Sequence, residues 1–510
     1  MPKSVDRKVA QVEIPKRLTR LGLQGSLSFD DALDQMLNRW VAIPETCSVT
    51  AILMAHATDD YLTVQLRETL ERHDGTRDVQ VVPNCGGPSQ GFIRDPFIVG
   101  ACLDPVGQDL RLCLVGDAEG WEEHPVLKDL QGMQTPMAFG GGKEEGGNFM
   151  VTPATRKCPR GLILIGGEKS GSKSDPTAPR LALQPVLRID VSGTHVSHTD
   201  ERVAFVGGHG AKDWAMVVPS NVLGKSLLKA ANASHGTQDV PDTWLWCSRG
   251  FTIGAHLNAR NPQMTRQYRT FCEEKSTQHR HAGERGRHEE VSLENAHAIL
   301  EKLGEKASKR LMLFPDLPGV HPCSVNLLNV NGLVVVPRQH AYRVSPVAAV
   351  DILHEAFQGI AKHGPCVKLL AKKDIAREVS TLAERYPTLP FYLRPGESMT
   401  WEDAAKTCTL AKDRTDPSVR EVLDALKVPP GERGNTIVGP RVLQIPAQGT
   451  VDILEAFIFV SLRTLELDCA FVDTSHLCQY GGNLHCATNR LPNLDALGWD
   501  VDDLGAELLG

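Results

Sequence analysis

Short apolar segments alternate with amphipathic helical segments along most of the chain, and this alternation limits the fold more than any other feature of the sequence. Residues 49–54 form a run of apolar and β-branched residues that predicts a buried strand, and residues 60–72 follow with helical spacing. A strand-helix-strand series returns near the end of the chain at 441–445, 451–465 and 467–472. Regular alternation of this kind predicts an α/β protein.

The same two patterns predict the remaining elements. We expect strands at 79–83, 110–115, 148–153, 161–165, 187–191, 202–206, 214–218 and 312–314. We expect helices at 28–39, 221–232, 290–309, 347–361, 373–385 and 417–426. The polar and basic segment 273–290 predicts an exposed loop, and Asn331-Gly332 between two apolar runs predicts a hairpin.

The organisation of the chain is that of one large domain. No linker divides it, so we predict an N-terminal extension at residues 1–45 and a catalytic domain at residues 46–510. Residues 350–357 resemble residues 451–457, which is typical of a fold built from repeated strand-helix modules.

Bulk composition excludes several classes of protein. The formal net charge of -7 argues against a dedicated nucleic-acid binder. No GxGxxG motif follows a predicted strand, and no run of about 18 apolar residues is present to span a membrane. The 13 cysteines include no CxxC pair, so no metal site is predicted. The N-terminus lacks the apolar core of a signal peptide, so we expect a cytoplasmic protein whose thiols are reduced.

Residues 481–489 form the strongest candidate for a functional segment. Two glycines follow a predicted buried strand and precede Cys486, which has a histidine beside it and small polar residues around it. Glycines let the backbone turn tightly and approach a ligand. A structural cysteine more often lies inside an apolar run, so Cys486 is a candidate nucleophile. A glycine turn that merely contains a cysteine is the alternative.

Two further polar segments interrupt apolar sequence. Arg94 and Asp95 form a charge pair within the apolar run 91–100, where burial without partners would be costly. An internal ion pair is the alternative to a functional role there. Glu145 and Asn148 flank a Gly-Gly turn that leads into a predicted strand. A plain exposed turn is the alternative at that place.

A histidine and a carboxylate form the last candidate pair. His198 and Asp200 lie two residues apart, so an extended backbone would project both side chains from the same face. Such a pair suits proton transfer and cation binding. If it meets Cys486 and Asp95, the set suits attack on a cationic, electrophilic carbon. On this interpretation the carboxylates hold the cation, the thiolate attacks and the imidazole moves protons.

In their order along the chain, these motifs resemble those of the guanidine-modifying superfamily. That superfamily includes arginine deiminases, agmatine deiminases, amidinotransferases, dimethylarginine hydrolases and protein-arginine deiminases. The nearest likeness is to the catalytic domain of protein-arginine deiminases, through residues 147–153, 198–206, 324–328 and 485–489. The resemblance implies a pentein-type α/β propeller of five ββαβ modules with insertions, with the site at its centre.

The resemblance also implies a role for each candidate residue. Asp95 and Asp200 would grip the two sides of a guanidinium, Cys486 would attack its central carbon, and His198 would protonate the departing ammonia and then activate water. The product would be a ureido group, citrulline where the substrate is an arginine of a protein or peptide. The same match assigns four further residues to substrate binding: Arg94, Glu145, Asn148 and Asn483.

Some features depart from the animal protein-arginine deiminases, which depend on calcium. The side chains of Arg94, Pro96 and Ile98, beside the first aspartate, offer calcium no oxygen, so we expect no cofactor. Residues 94–96 and 481–486 also resemble small-molecule deiminases. The alternatives are therefore a small-molecule guanidine deiminase, an amidinotransferase, or a non-catalytic guanidine-binding protein. A Cys-His peptidase is disfavoured because no supporting asparagine or glutamine is evident in the sequence.

Overall fold

The fold is taken from a computed structural model. It describes residues 40–54, 60–83, 97–103, 110–116, 137–140, 148–167, 184–192, 198–207, 214–234, 288–316, 323–339, 343–361, 370–393, 398–403, 426–439, 441–446, 449–474 and 483–500. Among the isolated positions that are also described are Arg94, Ala341, Leu423 and Leu477.

The described residues form a mixed α/β structure, which confirms the predicted fold class at that level. The strands are β1 (Val41–Ala42), β2 (Val49–Met54), β3 (Gln80–Val82), β4 (Phe97–Leu103), β5 (Leu110–Gly116), β6 (Met137–Gly140), β7 (Phe149–Val151), β8 (Ile163–Gly167), β9 (Val186–Asp190), β10 (Ala204–Gly207), β11 (Trp214–Ser220), β12 (Leu311–Pro315), β13 (Leu328–Val330), β14 (Leu333–Pro337), β15 (Arg343–Val344), β16 (Thr388–Leu393), β17 (Ser398–Thr400), β18 (Thr436–Val438), β19 (Arg441–Pro446), β20 (Val451–Asp452), β21 (Asp468–Val472) and β22 (Thr488–Pro492). The helices are α1 (Tyr61–Glu71), α2 (Asn221–Ser234), α3 (His288–Leu303), α4 (Ala307–Arg310), α5 (Pro346–Ala361), α6 (Lys372–Arg385), α7 (Ile453–Arg463) and α8 (Leu484–Ala487).

Five sheets in the described part of the chain repeat one topology. Each has a central strand with an antiparallel neighbour on one side and a parallel neighbour on the other. The central strands are β2, β5, β8, β11 and β14. A parallel neighbour requires a crossover connection, and helices lie in three of these connections: α1 precedes β3, α2 and α3 precede β12, and α5 to α7 precede β21.

One of these sheets joins the two ends of the chain. Strand β22 pairs antiparallel with β2, so that Leu53 lies opposite Asn489 and Met54 lies opposite Thr488. Helix α8, which contains Cys486, comes immediately before β22 in the sequence. The pairing of β22 with β2 therefore fixes where this short helix sits relative to the N-terminal part of the chain.

The hairpin between β13 and β14 has the turn that its sequence predicts. Asn331 and Gly332 take φ values of +49° and +90°, the left-handed conformation that both central residues of a type I′ turn require. The side chain of Asn331 also accepts a hydrogen bond from the Val49 N–H (2.8 Å) and donates to the Val49 carbonyl (3.0 Å). The turn therefore ties this sheet to the start of β2.

Helix α7 contributes eight residues to the largest apolar cluster of the described residues. Residues 453–462 are all buried, so this helix is enclosed around its whole circumference, and Glu455 is the one charged residue among them. Phe457 stacks on Phe357 of α5 with ring centroids 4.7 Å apart. These two helices are the pair whose sequences resemble one another, and their packing brings the two similar segments into contact.

The predicted helix at 290–309 is wrong in its extent. It begins earlier, at His288, and ends at Leu303, because Gly304 takes a φ of +71° and stops it. The separate turn α4 follows. Most of the predicted loop 273–290, and most of the predicted helices 28–39 and 417–426, lie outside the described residues. None of the described helices combines the length and the apolar character needed to span a membrane.

Candidate active site

Cys486 lies on a single helical turn, α8, which begins at Leu484. Asn483 caps this turn, and its side-chain oxygen accepts a hydrogen bond from the Leu484 N–H (3.0 Å) and another from the Thr474 hydroxyl. All four residues of α8 are buried. The two glycines at 481 and 482 lie outside the described residues.

Asn326 holds both the backbone and the sulfur of this turn. Its side-chain oxygen accepts from the His485 N–H (2.8 Å) and, at 3.4 Å, from the Cys486 N–H. Its side-chain nitrogen lies 3.2 Å from Cys486 Sγ and donates to it. The residue is buried, with an exposed fraction of 1%. Because a donor at the sulfur stabilises its anion more than its neutral form, Asn326 favours the thiolate.

His198 and Asp200 approach the same sulfur from another part of the chain. The sequence argument placed these two side chains on one face on the condition that the segment is extended. Residues Thr199–Glu201 instead form one turn of 3-10 helix, and His198, at its N-cap, has an extended backbone. The turn still directs both side chains to one place. A ligand atom of His198, one of Asp200 and Cys486 Sγ all lie within 4.8 Å of one another, and all three residues are buried.

Asp200 is the centre of this cluster. Its Oδ2 accepts from Cys486 Sγ at 3.3 Å and lies 2.8 Å from Nδ1 of His485. Its Oδ1 is buried and has no hydrogen-bond partner among the described residues. Burial alone would raise the pKa of this carboxyl. The hydrogen bond and charge of His485, with smaller contributions from His198 and Arg94, outweigh burial and hold the pKa of Asp200 below its usual range.

The three groups are also of the kinds that bind a metal ion. Thiolate, imidazole and carboxylate are the donors that Zn²⁺ takes in proteins, and the separation of these atoms is short enough for one ion to reach all three. The sequence predicts no metal. In the function proposed below, each of the three groups acts directly on the substrate.

A buried network of charges lies next to α8. Glu45 Oε1 lies 3.4 Å from Arg94 Nη1, and Glu45 Oε2 lies 2.5 Å from Arg490 Nη2 and 3.4 Å from His485 Nε2. Burial opposes the charge of Glu45, but Arg490 and Arg94 outweigh burial and keep the pKa of this carboxyl well below its usual range. Arg94 Nε also donates to the carbonyls of His485 (3.2 Å) and Thr488 (3.4 Å).

The residues predicted for the site fall into three groups. Cys486, His198 and Asp200 come together as a buried cluster. Asp95 and Glu145 lie outside the described residues. Three residues predicted to bind substrate are described: Arg94, Asn148 and Asn483. Each makes contacts within the protein in this structure, and its role in substrate binding stays a prediction.

Asn148 supports the turn that carries Asp200. Its carbonyl accepts from the Thr199 hydroxyl at 2.9 Å, and its side-chain nitrogen donates to the Gly166 carbonyl at 3.2 Å. A Cβ added at Gly166 would lie 1.9 Å from Asn148 Oδ1, so only glycine leaves room for this contact. Asn148 therefore links the end of β8 to the Asp200 turn.

Sequence reasoning assigned no role to three residues of this site. Asn326 lies within a motif noted for its resemblance, and a polar amide between apolar residues was the signal that could have singled it out. His485 was noted only as the neighbour of Cys486. Glu45 was placed in the N-terminal extension, and no local pattern connects it to residues more than 400 positions away.

Comparison with known proteins finds similarity to solved structures alone: no protein-family model and no curated protein matches the chain. Agmatine deiminase from C. jejuni matches with 10% identity and a TM-score of 0.36, over 89% of this chain and 96% of that one. A structure provisionally assigned as a peptidyl-arginine deiminase matches with 14% identity and a TM-score of 0.36, over 89% and 99%. Agmatine deiminase of Enterococcus faecalis matches with 9% identity and a TM-score of 0.31, over 63% and 89%.

The names of these structures are those of the guanidine-modifying superfamily that the sequence motifs resemble. Their identities to this chain stay below 15% and their TM-scores below 0.4. An activity for this chain is therefore argued from its own residues.

Proposed function

We propose that this chain is a cysteine-dependent hydrolase that converts an arginine-type guanidinium into a ureido group and releases ammonia. The observation that carries the proposal is the buried cluster of Cys486, His198 and Asp200, whose reactive atoms lie within 4.8 Å of one another. A soft nucleophile, a proton carrier and a carboxylate are the groups that this reaction requires.

Guanidinium suits this cluster because of its charge and shape. It is a poor electrophile, since its charge is delocalised over three nitrogens, and it must be held in place while a nucleophile adds to it. Planar, paired hydrogen bonds to carboxylates are its preferred contact. Asp200 supplies one carboxylate, and its Oδ1 accepts no hydrogen bond from the described residues. Asp95, on the sequence prediction, supplies the other.

The reaction then proceeds in two halves. The thiolate of Cys486 forms a bond to the central carbon of the guanidinium, and the carbon–nitrogen bond to one terminal nitrogen breaks as His198 gives that nitrogen a proton. Ammonia leaves, and the carbon stays bound to sulfur as a thiouronium. Water next adds to this carbon and gives a proton to His198, and the carbon–sulfur bond breaks. The product carries a carbonyl oxygen where the substrate carried a nitrogen.

The surroundings of the sulfur link its ionisation to the substrate. Asn326 donates to Cys486 Sγ and favours the thiolate, whereas the carboxylate of Asp200, 3.3 Å away, disfavours a second negative charge. A bound guanidinium between the two would offset that repulsion. We therefore expect the thiolate to form more readily once a cation occupies the site.

For the whole chain, we propose that the five sheets of repeated topology close into a five-module propeller of the pentein type. The pairing of β22 with β2 supports closure, because it joins strands from the two ends of the chain. The division into an extension, residues 1–45, and a catalytic domain, residues 46–510, remains part of this proposal. A thiol nucleophile must stay reduced, which favours the cytoplasm.

Two classes of substrate fit this chemistry. The motifs that resemble protein-arginine deiminases favour an arginine of a protein or peptide. The segments 94–96 and 481–486 favour a small guanidine, and the agmatine deiminases among the matched structures make agmatine a substrate to test. An amidinotransferase would use the same thiol with an amine in place of water.

The test measures ammonia and the ureido product together. The purified chain is incubated with free arginine, agmatine or an arginine-containing protein, with and without calcium, and Cys486→Ala is the control. We expect ammonia and a ureido group in equal amounts, no dependence on calcium, and loss of both in the variant. Citrulline within the protein would identify a protein-arginine deiminase, whereas turnover of small guanidines alone would identify a small-molecule enzyme.

Three outcomes would contradict the hydrolase. Guanidine binding without ammonia, unchanged in Cys486→Ala, would indicate a binding protein. Transfer of the amidino group to an added amine would indicate an amidinotransferase. Cleavage of a backbone amide in the protein substrate would indicate a peptidase.

A further inference from the structure

Glu45 makes more contacts around α8 than charge balance alone requires. Two arginines, Arg94 and Arg490, already pair with its carboxylate and compensate its burial. Yet Oε2 also lies 3.4 Å from Nε2 of His485, the residue directly before the candidate nucleophile. Glu45 has an exposed fraction of only 8%, and His485 of only 3%, so this contact is shielded from water.

We propose that Glu45 is a positioning residue for Cys486, acting through the ring of His485. The inference rests on the function proposed above for this site, and it extends that site to a residue more than 400 positions earlier in the chain. The side-chain contacts of Glu45 among the described residues are with His485, Arg94 and Arg490. It acts by fixing the histidine that contacts Asp200.

The ring of His485 is held between two carboxylates. Nδ1 lies 2.8 Å from Asp200 Oδ2, and Nε2 lies 3.4 Å from Glu45 Oε2. A hydrogen-bond partner at each ring nitrogen fixes the orientation of an imidazole. Catalytic and metal-binding histidines are oriented in this way by a partner at the second nitrogen. The ring therefore keeps Asp200 Oδ2 occupied, and Asp200 Oδ1 is left as the acceptor for a guanidinium.

A second route runs from Glu45 to the backbone of α8. Arg94, which pairs with Glu45, donates from Nε to the carbonyl of His485, and its own N–H donates to the carbonyl of Cys486 at 3.3 Å. Glu45 thus restrains the side chain and the main chain of the residue before the nucleophile. Displacements of about 1 Å in such a site are enough to slow a reaction by about 100-fold.

The occupied Oδ2 has a consequence for the sulfur, which lies 3.3 Å from the same oxygen. A hydrogen bond donated to Asp200 Oδ2 makes the electrostatic potential at Cys486 Sγ less negative. The free-energy cost of forming the thiolate is therefore lower. If His485 loses its anchor, Asp200 faces the sulfur with its charge less compensated. We expect the sulfur to react more slowly with an electrophile in that case.

The test follows the alkylation of Cys486 by iodoacetamide at neutral pH, with the Cys486 peptide quantified by mass spectrometry. Glu45→Gln removes the charge and keeps the size of the side chain. The adjoining cavity of about 40 Å³, lined by Glu45, Arg94 and Arg490 among others, has room for a water molecule to hydrate an arginine left without its partner. We expect alkylation to be slowed by roughly tenfold or more.

The matched control is Glu455→Gln. Glu455 is also a buried glutamate paired with an arginine, Arg338 at 3.2 Å, and its other partner is the Gln339 N–H. A general loss of stability affects both variants, whereas loss of positioning affects only the first. Equal alkylation rates in the two variants and the wild type would overturn the proposal.

A double-mutant cycle separates the route through His485 from the rest. In a His485→Gln background, Glu45→Gln is expected to slow alkylation less than it does in the wild-type background, because the ring is gone and only the route through Arg94 to the main chain remains. Additive slowing would show that Glu45 acts by another route and would contradict the inference. If Glu45→Gln does not fold, Glu45→Asp, which keeps the charge but is one methylene shorter, takes its place in the cycle.

Failure of the proposed function would look different from failure of this inference. Alkylation requires no guanidine substrate. The alkylation rates of the double-mutant cycle can therefore be interpreted even if the wild-type chain turns over none of the substrates offered. Where a substrate is turned over, kcat/KM is expected to fall in Glu45→Gln in parallel with the alkylation rate and to stay near the wild-type value in Glu455→Gln.

Discussion

At the scale of single residues, the site depends on a few buried polar groups with defined partners. Cys486 has a donor, Asn326, and a carboxylate, Asp200, on its sulfur, and these two neighbours have opposite effects on its charge. Neither neighbour is close to Cys486 in the sequence. The reactivity of the thiol therefore depends on contacts that only folding produces.

Asn326→Ala tests the donor. The variant loses the hydrogen bond to Cys486 Sγ and the acceptor of the His485 N–H, so we expect kcat to fall by about 100-fold, the usual cost of removing one donor from a developing negative charge. Steady-state kinetics measures the effect, on whichever guanidine substrate the ammonia assay shows to be turned over. Asn329→Ala is the control, because Asn329 is also buried but its side-chain oxygen has no partner among the described residues. A fall of the same size in both variants would contradict the assignment.

The depressed pKa of Glu45 predicts how stability depends on pH. A carboxyl whose pKa is lowered by folding contributes stability that is complete above its unfolded pKa of about 4 and is lost as the pH falls below it. We expect Glu45→Gln to lower the free energy of unfolding by about 3 kcal/mol at pH 7. The difference from the wild type should shrink in urea unfolding at pH 4 and pH 3.

The surface pair formed by Glu68 and Arg72 provides the comparison for this experiment. Their side chains are 56% and 74% exposed, so Glu68→Gln is expected to change stability by less than about 1 kcal/mol at any of these pH values. A difference for Glu45→Gln that stays constant or grows as the pH falls would contradict the prediction.

At the scale of elements, the contact between β8 and the Asp200 turn depends on one glycine. In Gly166→Ala the new Cβ would lie 1.9 Å from Asn148 Oδ1 and 2.7 Å from Val191 Cγ1, so Asn148 must move and release Thr199. We expect a loss of about 1–3 kcal/mol in the free energy of unfolding, together with lower activity, because the turn that carries Asp200 is displaced. Chemical denaturation and kinetics measure the two effects.

Gly359→Ala is the control for that change. Gly359 lies exposed in helix α5 with open space around the position of a Cβ, and alanine favours a helix over glycine by about 1 kcal/mol. This variant should therefore be at least as stable as the wild type and fully active. If Gly166→Ala behaved in the same way, Asn148 would not be the link between β8 and the Asp200 turn.

At the scale of the whole molecule, Arg490 connects three distant segments. It lies on β22, pairs with the carboxylate and the carbonyl of Glu45, and donates to the Asn329 carbonyl on β13 at 3.3 Å. These contacts join the N-terminal part, the middle and the C-terminal part of the chain.

Arg490→Lys tests this connection. Lysine keeps the charge but cannot present the planar, paired donors of a guanidinium, so we expect a loss of about 2–3 kcal/mol in the free energy of unfolding. Hydrogen exchange should show lower protection in β2, β13 and β22 together. Arg72→Lys, at an exposed position, should change neither quantity. Loss of protection in β22 alone would mean that Arg490 stabilises only the strand that contains it.

Local patterns account for the parts of the structure that could be predicted. The positions of β2, α1, the Asn331-Gly332 hairpin and α7 follow from apolar periodicity and turn chemistry, which act over a few residues. Helix α3 was predicted too long because a glycine can either continue or end a helix. In the structure Gly304 takes a left-handed conformation, which ends the helix. His198 and Asp200 were expected to project together on the condition that their segment is extended. They do come together, but from a turn of 3-10 helix.

Residue patterns were enough to predict an α/β fold and the chemical groups of the candidate site: an α/β alternation, a cysteine outside any apolar run, and the His198 and Asp200 pair. These depend on residue type and spacing, which can be seen along the chain. The positions of Asn326, His485 and Glu45 around Cys486 and Asp200 could be found only from the folded structure. The physical reason is that these contacts join residues 160 to more than 400 positions apart, and they arise from the pairing of whole strands, such as β2 with β22.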